Sequence, residues 1–462
     1  MIQSAKDDPI VALATPPGRS AIALIRGSGA GCLYLLASRF SRPQAIAAAA
    51  GHSVLVGHFH DGDPAATLDQ VTITVYRGPK SYTGEDSFEI GSHGNPGGVQ
   101  RILEALIRAG FRMAEPGEFT LRAFLAGKMD LTQAEAVHEL VMARTDKGRS
   151  LALERLEGSV RRRIEAIKDE LAALMVQVNV QLDYGEDEVE ELPIEGSRLE
   201  SVLTTIQELL AGYRRGRLYQ EGATVVLAGP PNVGKSSLFN ALLREERALT
   251  DPTPGTTRDY LEVALDIRGI PVRLFDTAGL RESDEGVEQR GIEHTNRLVH
   301  GADLVIRVLD ARKAELDAPT APAASGEMQS RATEVIVYNK ADLLSSADSE
   351  VLALALAKTD GALLLSATTH EGIDALEDVL ASALLGADQT AGTVIDSPRQ
   401  KALLEEAADA LEEARRGLSA GATIDLVAED LQVALSALGQ ITGEVTTADL
   451  LERMFSSFCL GK

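Results

Sequence analysis

The stretch "VVLAGPPNVGKSSLFNALL" (Val225–Leu243) decides the fold of the central part of this chain. Its pattern is typical of a buried strand, a glycine-rich loop and a helix, and Gly229 to Ser236 fits G-x-x-x-x-G-K-S. The backbone N–H groups of such a loop surround phosphates at the N-terminus of the following helix. We therefore expect Lys235 to reach the β- and γ-phosphates of a nucleotide and the Ser236 hydroxyl to bind Mg²⁺.

Three further motifs follow in order, each directly after a predicted strand: "DTAG" from Asp276, "NKAD" from Asn339 and "SAT" from Ser366. Asp276 is expected beside Mg²⁺ and Gly279 beside the γ-phosphate. The Asp342 carboxylate can accept two hydrogen bonds from the guanine edge, which adenine cannot donate. The motifs therefore predict a GTP-binding domain. The expected GTP contacts are Asn232, Val233, Gly234, Lys235, Ser236, Ser237, Thr256, Thr257, Asp276, Thr277, Ala278, Gly279, Asn339, Lys340, Asp342, Ser366, Ala367 and Thr368.

The residues that would drive hydrolysis are less regular than those that would bind GTP. Leu280 follows "DTAG", where many GTPases place a glutamine that orients the attacking water, and an apolar side chain cannot do this. Glu288 is a candidate for positioning the water, although a solvated acid on a helix is an equally open interpretation. Asn232 and the "GTTRD" loop match the potassium-dependent subset of GTPases, in which a monovalent cation neutralises charge beside the phosphates.

Hydrophobic periodicity predicts a multidomain chain that combines α/β and all-α regions. Mixed strands and helices give way to helices near residue 118, strands and helices then alternate until about 385, and helices resume. This order predicts a nucleotide-binding domain inserted into a discontinuous helical domain. The predicted domains are residues 1–119, an N-terminal α/β domain; 120–220, the first segment of the helical domain; 221–386, the G domain; and 387–462, the second segment of the helical domain.

Composition limits the compartment and the partners. The chain has 462 residues and a net charge of −24, which argues against a protein that coats nucleic acid. Its two cysteines, Cys32 and Cys459, cannot form a disulfide framework, which indicates a reducing compartment. The start of the sequence lacks the pattern of a signal peptide, and no apolar run approaches the length of a membrane span. We expect a cytoplasmic protein with no membrane partner.

Several segments resemble one known family, the bacterial tRNA-modification GTPases MnmE (TrmE). They are "TPPGR", "SYTGED", "PGEFTLRAFLAGKMDLTQAEAV" and "ITGEVTTADLLERMFSSFCLGK", together with the inserted G domain. The resemblance implies an N-terminal folate-binding α/β domain, a discontinuous helical domain and an inserted Ras-like P-loop GTPase domain. It also implies a homodimer that works on tRNA with the FAD-containing partner MnmG (GidA). The implied product carries an aminomethyl or carboxymethylaminomethyl group at C5 of the wobble uridine, with the carbon from 5,10-methylene- or 5-formyl-tetrahydrofolate.

The resemblance also assigns site residues. By it, the positions that contact folate are Arg26, Glu85, Lys128 and Lys462. The potassium positions are Asn232, Asp251, Thr253 and Thr256; the magnesium positions are Ser236 and Thr257; the catalytic glutamate is Glu288. Departures from the usual family pattern, such as Ser20-Ala21 where glycine is common, affect details of the folate pocket and leave the nucleotide site unchanged.

The C-terminal "CLGK" raises a separate question about Cys459. Thr446 and Asp449 form a predicted capping box for a helix that Gly461 would end, which puts Cys459 in the last turn. The helix dipole disfavours a thiolate there, so a nucleophilic role would need a partner group. Whether the thiol acts chemically or structurally stays open, and we expect this helix to deliver the tail to the folate domain. Two other functions remain open: a ribosome-assembly switch, and a folate-dependent transferase with a regulatory G domain.

Overall fold

The computed structural model describes residues 8–183, 196–243, 262–276, 300–314, 333–357, 362–386 and 392–461. The chain forms two compact units. The first comprises residues 1–138, 155–183 and 428–462, and the second comprises 139–154 and 184–427. Each unit therefore joins segments that are far apart in the sequence, as expected when one domain is inserted into another.

A six-stranded sheet, counted over the described residues, forms the base of the first unit, in the order β3-β4-β5-β2-β1-β6. Its strands are β1 (Ile10–Leu13), β2 (Ser20–Ser28), β3 (Ser53–His60), β4 (Thr67–Tyr76), β5 (Ser87–Gly94) and β6 (Arg112–Met113). The same unit contains the helices α1 (Cys32–Ala37), α2 (Pro43–Ala48) and α3 (Pro96–Ala109). Alternate residues such as Ile25, Ile73 and Ile90 are fully buried, because successive side chains of a strand point to opposite faces.

The helices that follow begin with α4 (Glu118–Leu125), α5 (Leu131–Met142), α6 (Asp146–Leu156) and α7 (Ser159–Asp183). On α7 the apolar positions from Val160 to Val178 are buried, as their spacing by three and four predicts. The spacing by three and four extends in the sequence from Leu153 to Leu182 and predicts one continuous apolar stripe, which is wrong at both ends, since Leu153 is 40% exposed and Leu182 is 43% exposed. Leu153 lies on α6, a separate helix, and Leu182 lies in the last turn of α7.

The C-terminal segment follows α13 (Ile424–Thr442) and forms the short helix α14 (Ala448–Phe455), which packs against α4. Its N-cap is Thr447, whose hydroxyl accepts a hydrogen bond from the Leu450 N–H at 3.3 Å, so the predicted cap at Thr446 was wrong by one residue. The helix also ends earlier than predicted, at Phe455. Cys459 consequently lies beyond the last helical turn, where it is exposed, and the helix-dipole argument does not apply to it.

A second six-stranded sheet lies in the second unit, again counted over the described residues, in the order β12-β11-β10-β7-β9-β8. Its strands are β7 (Ala223–Ala228), β8 (Glu262–Ile267), β9 (Ile270–Asp276), β10 (Leu304–Asp310), β11 (Thr333–Asn339) and β12 (Ala362–Leu364). Only β8 pairs antiparallel among them. The carboxyl ends of the parallel strands meet at one edge, which is where open α/β sheets bind ligands.

The helices of the second unit are α8 (Gly196–Glu221), α9 (Lys235–Leu242), α10 (Ser346–Leu356), α11 (Ile373–Leu385) and α12 (Pro398–Ala420). Helix α11 ends at Leu385, and the next described helix, α12, begins at Pro398. The long helices α8 and α12 pack against each other. Gly216 lets α8 approach the chain before α12, because a Cβ there would lie 2.1 Å from the carbonyl oxygen of Ile395.

The tight turn between β8 and β9 contacts helical segments of the same unit. Thr145, which precedes α6, donates a hydrogen bond through Oγ1 to the Gly269 carbonyl at 2.8 Å. Gly269 has φ 87°, and a Cβ there would lie 2.7 Å from the Cβ of Lys147. The hairpin turn is thus fitted closely against the start of α6. Over the described ranges, no helix is long and apolar enough to cross a membrane.

Candidate nucleotide site and N-terminal pocket

The phosphate loop joins β7 to α9, and its glycines are required by close backbone contacts. A Cβ on Gly229 (φ 144°) would lie 2.2 Å from the Val308 carbonyl oxygen, and one on Gly234 (φ 95°) would lie 2.3 Å from the Asn339 side-chain nitrogen. Between them, Asn232 has the unusual φ of 63° for a residue with a side chain. The loop therefore has the geometry that turns backbone N–H groups toward a phosphate at the start of α9.

Lys235 and Ser236 occupy the positions that the motif predicts. The Lys235 ammonium donates to the carbonyl oxygens of Gly229 and Pro230, at 3.1 and 2.9 Å, and so lies folded over the loop. The Ser236 hydroxyl donates to Asp276 Oδ2 at 2.8 Å. Hydroxyl and carboxylate oxygens at this spacing fit Mg²⁺, which prefers oxygen ligands and is commonly held by such a pair beside phosphates.

The base-recognition loops are held together by hydrogen bonds from three motifs. The Asn339 side chain donates to the Val233 carbonyl at 3.0 Å and accepts from the Ala367 N–H at 3.0 Å, so it fixes the "SAT" loop to the phosphate loop. The Ser366 hydroxyl donates to Asp342 Oδ1 at 2.6 Å. This bond orients the carboxylate and leaves Oδ2 and the remaining lone pairs for the donors of guanine.

Lys340 also links the "NKAD" segment to the phosphate loop. It has φ 71°, and its ammonium donates to the Asn232 carbonyl at 2.6 Å and to Asp310 Oδ2 at 2.9 Å. Asp310 was not among the predicted site residues. The sequence shows that Asp310 ends the apolar run "LVIRVLD", but its place beside the two loops follows from the position of β10 between β7 and β11.

The described part of the chain thus brings the predicted Asn232, Val233, Gly234, Lys235, Ser236, Asp276, Asn339, Lys340, Asp342, Ser366 and Ala367 to one edge of the sheet. Ser237 and Thr368 are exposed at the starts of their helix and loop. The other predicted nucleotide and cation positions lie outside the described residues: Asp251, Thr253, Thr256, Thr257, Thr277, Ala278, Gly279 and Glu288.

The N-terminal sheet carries a cavity of about 210 Å³ next to Arg26. The guanidinium of Arg26 lies 5.5 Å from the centre of the Tyr82 ring and 5.9 Å from that of Phe119. Arg26 and Glu89 are directly opposite each other on β2 and β5, and Arg26 donates to Glu89 Oε1 from Nε at 3.0 Å and from Nη2 at 2.8 Å. Tyr76 donates its hydroxyl to Glu89 Oε2 at 3.2 Å. The cavity therefore combines aromatic rings with a paired cation and carboxylate.

Arg26 also contacts the C-terminal tail within the first unit. Its Nη1 donates to the Gly461 carbonyl at 3.2 Å. Gly461 is buried with φ 88°, and a Cβ there would lie 2.8 Å from the Leu13 carbonyl oxygen. The tail is thus fitted against β1 at the edge of the cavity. Lys462 lies outside the described residues.

Glu85 and Lys128, the other two predicted folate positions, do not line this cavity themselves, although Glu85 contacts the lining residue Ser28. Glu85 accepts hydrogen bonds from the Ser28 hydroxyl at 2.8 Å and from Arg122 Nη1 at 3.2 Å. The exposed Lys128 donates to the Pro79 carbonyl at 2.8 Å. Glu89, which lines the cavity, was missed by the sequence analysis, because Glu85 belongs to the more recognisable "SYTGED" segment. The place of Glu89 opposite Arg26 follows from the pairing of β5 with β2.

The parallel sheet, the phosphate loop and the guanine-recognition loops define a P-loop GTPase. A sequence profile described as "MnmE helical domain" matches residues 131–459, and one described as "GTP-binding protein TrmE N-terminus" matches residues 9–128. The chain therefore belongs to the MnmE family, and the resemblance found in its sequence is confirmed.

Curated relatives match along nearly their whole length, and those that follow all carry the name "tRNA modification GTPase MnmE". The protein of Borreliella burgdorferi (strain ZS7) is 38% identical over 464 residues, covering 99% of both chains. Those of Treponema denticola and Enterococcus faecalis are each 39% identical, over 466 and 463 residues, covering 98% of both chains. Among solved structures, Era of Aquifex aeolicus is 21% identical over 41% of this chain and 66% of its own, with a TM-score of 0.26, which is too low to support an argument.

Proposed function

We propose that this GTPase acts in tRNA modification and that GTP hydrolysis drives the addition of an aminomethyl or carboxymethylaminomethyl group at C5 of the wobble uridine. The observation that carries the proposal is membership of the MnmE family over 99% of the chain. In the proposal, the chain works as a homodimer with the FAD-containing MnmG (GidA), and a folate supplies the carbon. A tRNA substrate and two free cysteines fit a cytoplasmic setting.

The cavity beside Arg26 supports the folate component of the proposal. At about 210 Å³ it is smaller than a typical drug-sized site, about 300–1,000 Å³, so it suits the bicyclic ring of a folate rather than the whole molecule. The Tyr82 and Phe119 rings offer apolar surface for a flat heterocycle, and the Glu89 carboxylate can accept from ring N–H groups. A bound tetrahydrofolate would supply the one-carbon unit; the chain itself would hold and orient the ring.

Arg26 has a different role in this proposal from a simple anchor for the glutamyl carboxylates of folate. Three of its five donor hydrogens are already used, two by Glu89 and one by Gly461. The guanidinium also lies between two aromatic rings. Arg26 therefore forms a section of the floor of the ring site rather than a free anchor for glutamyl carboxylates.

Potassium dependence also belongs to the proposal. An apolar Leu280 cannot orient water, so another source of positive charge and a water-positioning acid are needed. We assign these roles to a potassium ion at Asn232 and to Glu288. Replacing potassium with sodium at constant ionic strength should lower GTP hydrolysis at least about tenfold. Equal hydrolysis rates in the two salts would remove the cation from the mechanism.

The experiment that tests the main proposal is deletion of the gene followed by mass spectrometry of tRNA nucleosides. Nucleosides substituted at C5 of the wobble uridine should disappear and return with the wild-type gene. Arg26→Gln should fail to restore them while its purified protein still hydrolyses GTP. Arg101→Gln, which removes an exposed arginine on α3, is the matched control and should restore them fully. An unchanged nucleoside profile in the deletion strain would contradict the proposal and leave ribosome assembly as the next process to test.

A further inference from the structure

Asp310 lies between the two loops of the nucleotide site. It is the last residue of β10, which is flanked by β7, the strand that leads into the phosphate loop, and β11, the strand that leads into "NKAD". Neighbouring parallel strands bring their carboxyl ends to one edge of the sheet. Asp310 is therefore placed where both loops leave the sheet, although no recognised GTPase motif includes it.

The Asp310 carboxylate is buried and fully engaged. Its side chain is 5% exposed, and it accepts from Arg312 at 3.0 and 2.7 Å as well as from the Lys340 ammonium at 2.9 Å. The hydrogen bonds from Arg312, followed by those from Lys340, hold the pKa of Asp310 well below its usual range. The carboxylate is therefore a fixed negative charge beside Lys340.

Lys340 depends on that charge more than Arg312 does. Its stem crosses from the base-recognition loop to the phosphate loop, where the ammonium also donates to the Asn232 carbonyl at 2.6 Å. The Lys340 side chain is 22% exposed, whereas that of Arg312 is 48% exposed and can pair with water instead. A lysine stem is flexible and its ammonium is strongly hydrated, so without a counter-charge the ammonium would turn toward solvent.

We propose that Asp310 is a positioning residue for guanine-nucleotide binding, which holds the Lys340 ammonium against the Asn232 carbonyl and so fixes the base-recognition loop relative to the phosphate loop. GTP and GDP span these two loops, with the base at one and the phosphates at the other. When the loops are already linked, binding does not have to order them. When the link is lost, the arrangement of the two loops that binds nucleotide is less populated. The apparent affinity then falls in proportion to the fraction of molecules that hold this arrangement.

A double-mutant cycle on the full-length protein tests this proposal, with a fluorescent GDP analogue as the ligand. Asp310→Asn and Lys340→Met should each weaken binding about tenfold, and the double variant should bind no more weakly than Lys340→Met alone, because Asp310 acts through Lys340. Arg312→Gln removes the other partner of Asp310 and keeps the Asp310–Lys340 pair. It is the matched control and should bind within about twofold of the wild type.

Three outcomes would overturn the proposal. They are an unchanged affinity in Asp310→Asn, losses that multiply in the double variant, and a loss in Arg312→Gln as large as that in Asp310→Asn. If Asp310→Asn alone fails to fold because it leaves the Lys340 ammonium without its counter-charge, the double variant lacks both charges and remains comparable with Lys340→Met. Equal affinities of those two variants, with normal binding by Arg312→Gln, would then support the proposal; weaker binding by the double variant would contradict it.

Discussion

At the scale of single residues, we predict that guanine selectivity depends on the Asp342 carboxylate. Replacing it by an amide in Asp342→Asn puts an N–H₂ group where guanine also presents donors. We expect GTP affinity to fall about a hundredfold and xanthosine triphosphate, which has an acceptor at that edge, to bind instead. Competition of the two nucleotides against a fluorescent GDP analogue measures both changes. Retained preference for GTP would contradict the base-reading role.

Ser366 provides the control for that substitution, because its hydroxyl donates to Asp342 Oδ1 and orients the carboxylate. Ser366→Ala removes the orientation and keeps the acceptor. GTP affinity should fall only about tenfold, with no gain for xanthosine triphosphate. A gain in the alanine variant would mean that loosening of the site, and not the chemistry of residue 342, relaxes the selectivity.

His138 gives the first unit a pH-dependent contact. Its ring stacks on Phe458 at 4.9 Å, and burial lowers the pKa of His138 below the usual 6.5. Folding therefore favours the neutral imidazole. The stability that the contact of His138 with Phe458 contributes is complete above pH 6.5, and it is lost as the pH falls from 6.5 toward the lower pKa of the folded state. His138→Phe keeps the stack without a titrating group and should remove that component of the pH dependence.

Hydrogen exchange of the α14 amides, corrected for the intrinsic effect of pH, measures the His138 contribution. The matched control is His58→Phe, which replaces an exposed histidine of the same unit and should keep the wild-type slope. If His138→Phe showed the same dependence of amide exchange on pH as the wild type, the pKa of His138 would be the same in the folded and unfolded states.

At the scale of elements, a substitution in the turn of the β8–β9 hairpin tests how closely this hairpin packs against α6. Gly269→Ala adds a methyl group at φ 87° that meets Lys147 Cβ at 2.7 Å. We expect the opening free energy of the hairpin to fall by about 2–4 kcal/mol, from backbone strain plus overpacking. Gly421→Ala is the control, since its φ is 70° and nothing lies within 4 Å, and it should cost only about 1 kcal/mol. Hydrogen exchange of the β9 amides gives the first value and that of the last α12 amides gives the second, and equal costs would mean that the contact with Lys147 does not constrain the hairpin.

Elements that a short stretch of sequence specifies could be predicted from the sequence alone. The phosphate loop needs only a strand, two glycines and a helix start, and the motifs from Asp276 to Ser366 each follow a mainly apolar strand. The missed features depend on pairing between distant segments. Glu89 enters the cavity because β5 aligns it opposite Arg26, and Asp310 enters the nucleotide site because β10 inserts between β7 and β11. The shift of the α14 cap to Thr447 is an ordinary boundary error, since two adjacent threonines offer equivalent caps.

At the scale of the whole molecule, the tail contact predicts a separation of the two activities. Gly461→Ala would bring a methyl group within 2.8 Å of the Leu13 carbonyl and displace the Gly461 carbonyl from Arg26. We expect binding of 5-formyl-tetrahydrofolate, measured by calorimetry, to weaken about tenfold or more, while affinity for GDP stays unchanged. Gly127→Ala is the control, with φ 68° and open space around it. Equal folate affinity in the two variants would exclude the tail from the ring site.

The bond between Arg26 and Gly461 joins residues 435 positions apart. During synthesis the N-terminal sheet leaves the ribosome first and can fold early, yet the carbonyl that meets Arg26 at the edge of its cavity is made 435 positions later. A chain interrupted between the last segment of the nucleotide site and Gly461 would therefore carry the N-terminal sheet and the GTP site but lack the Gly461 carbonyl at the edge of the proposed folate cavity. Such a fragment should hydrolyse GTP without modifying tRNA, so the tail contact makes the proposed chemistry depend on the C-terminal segment.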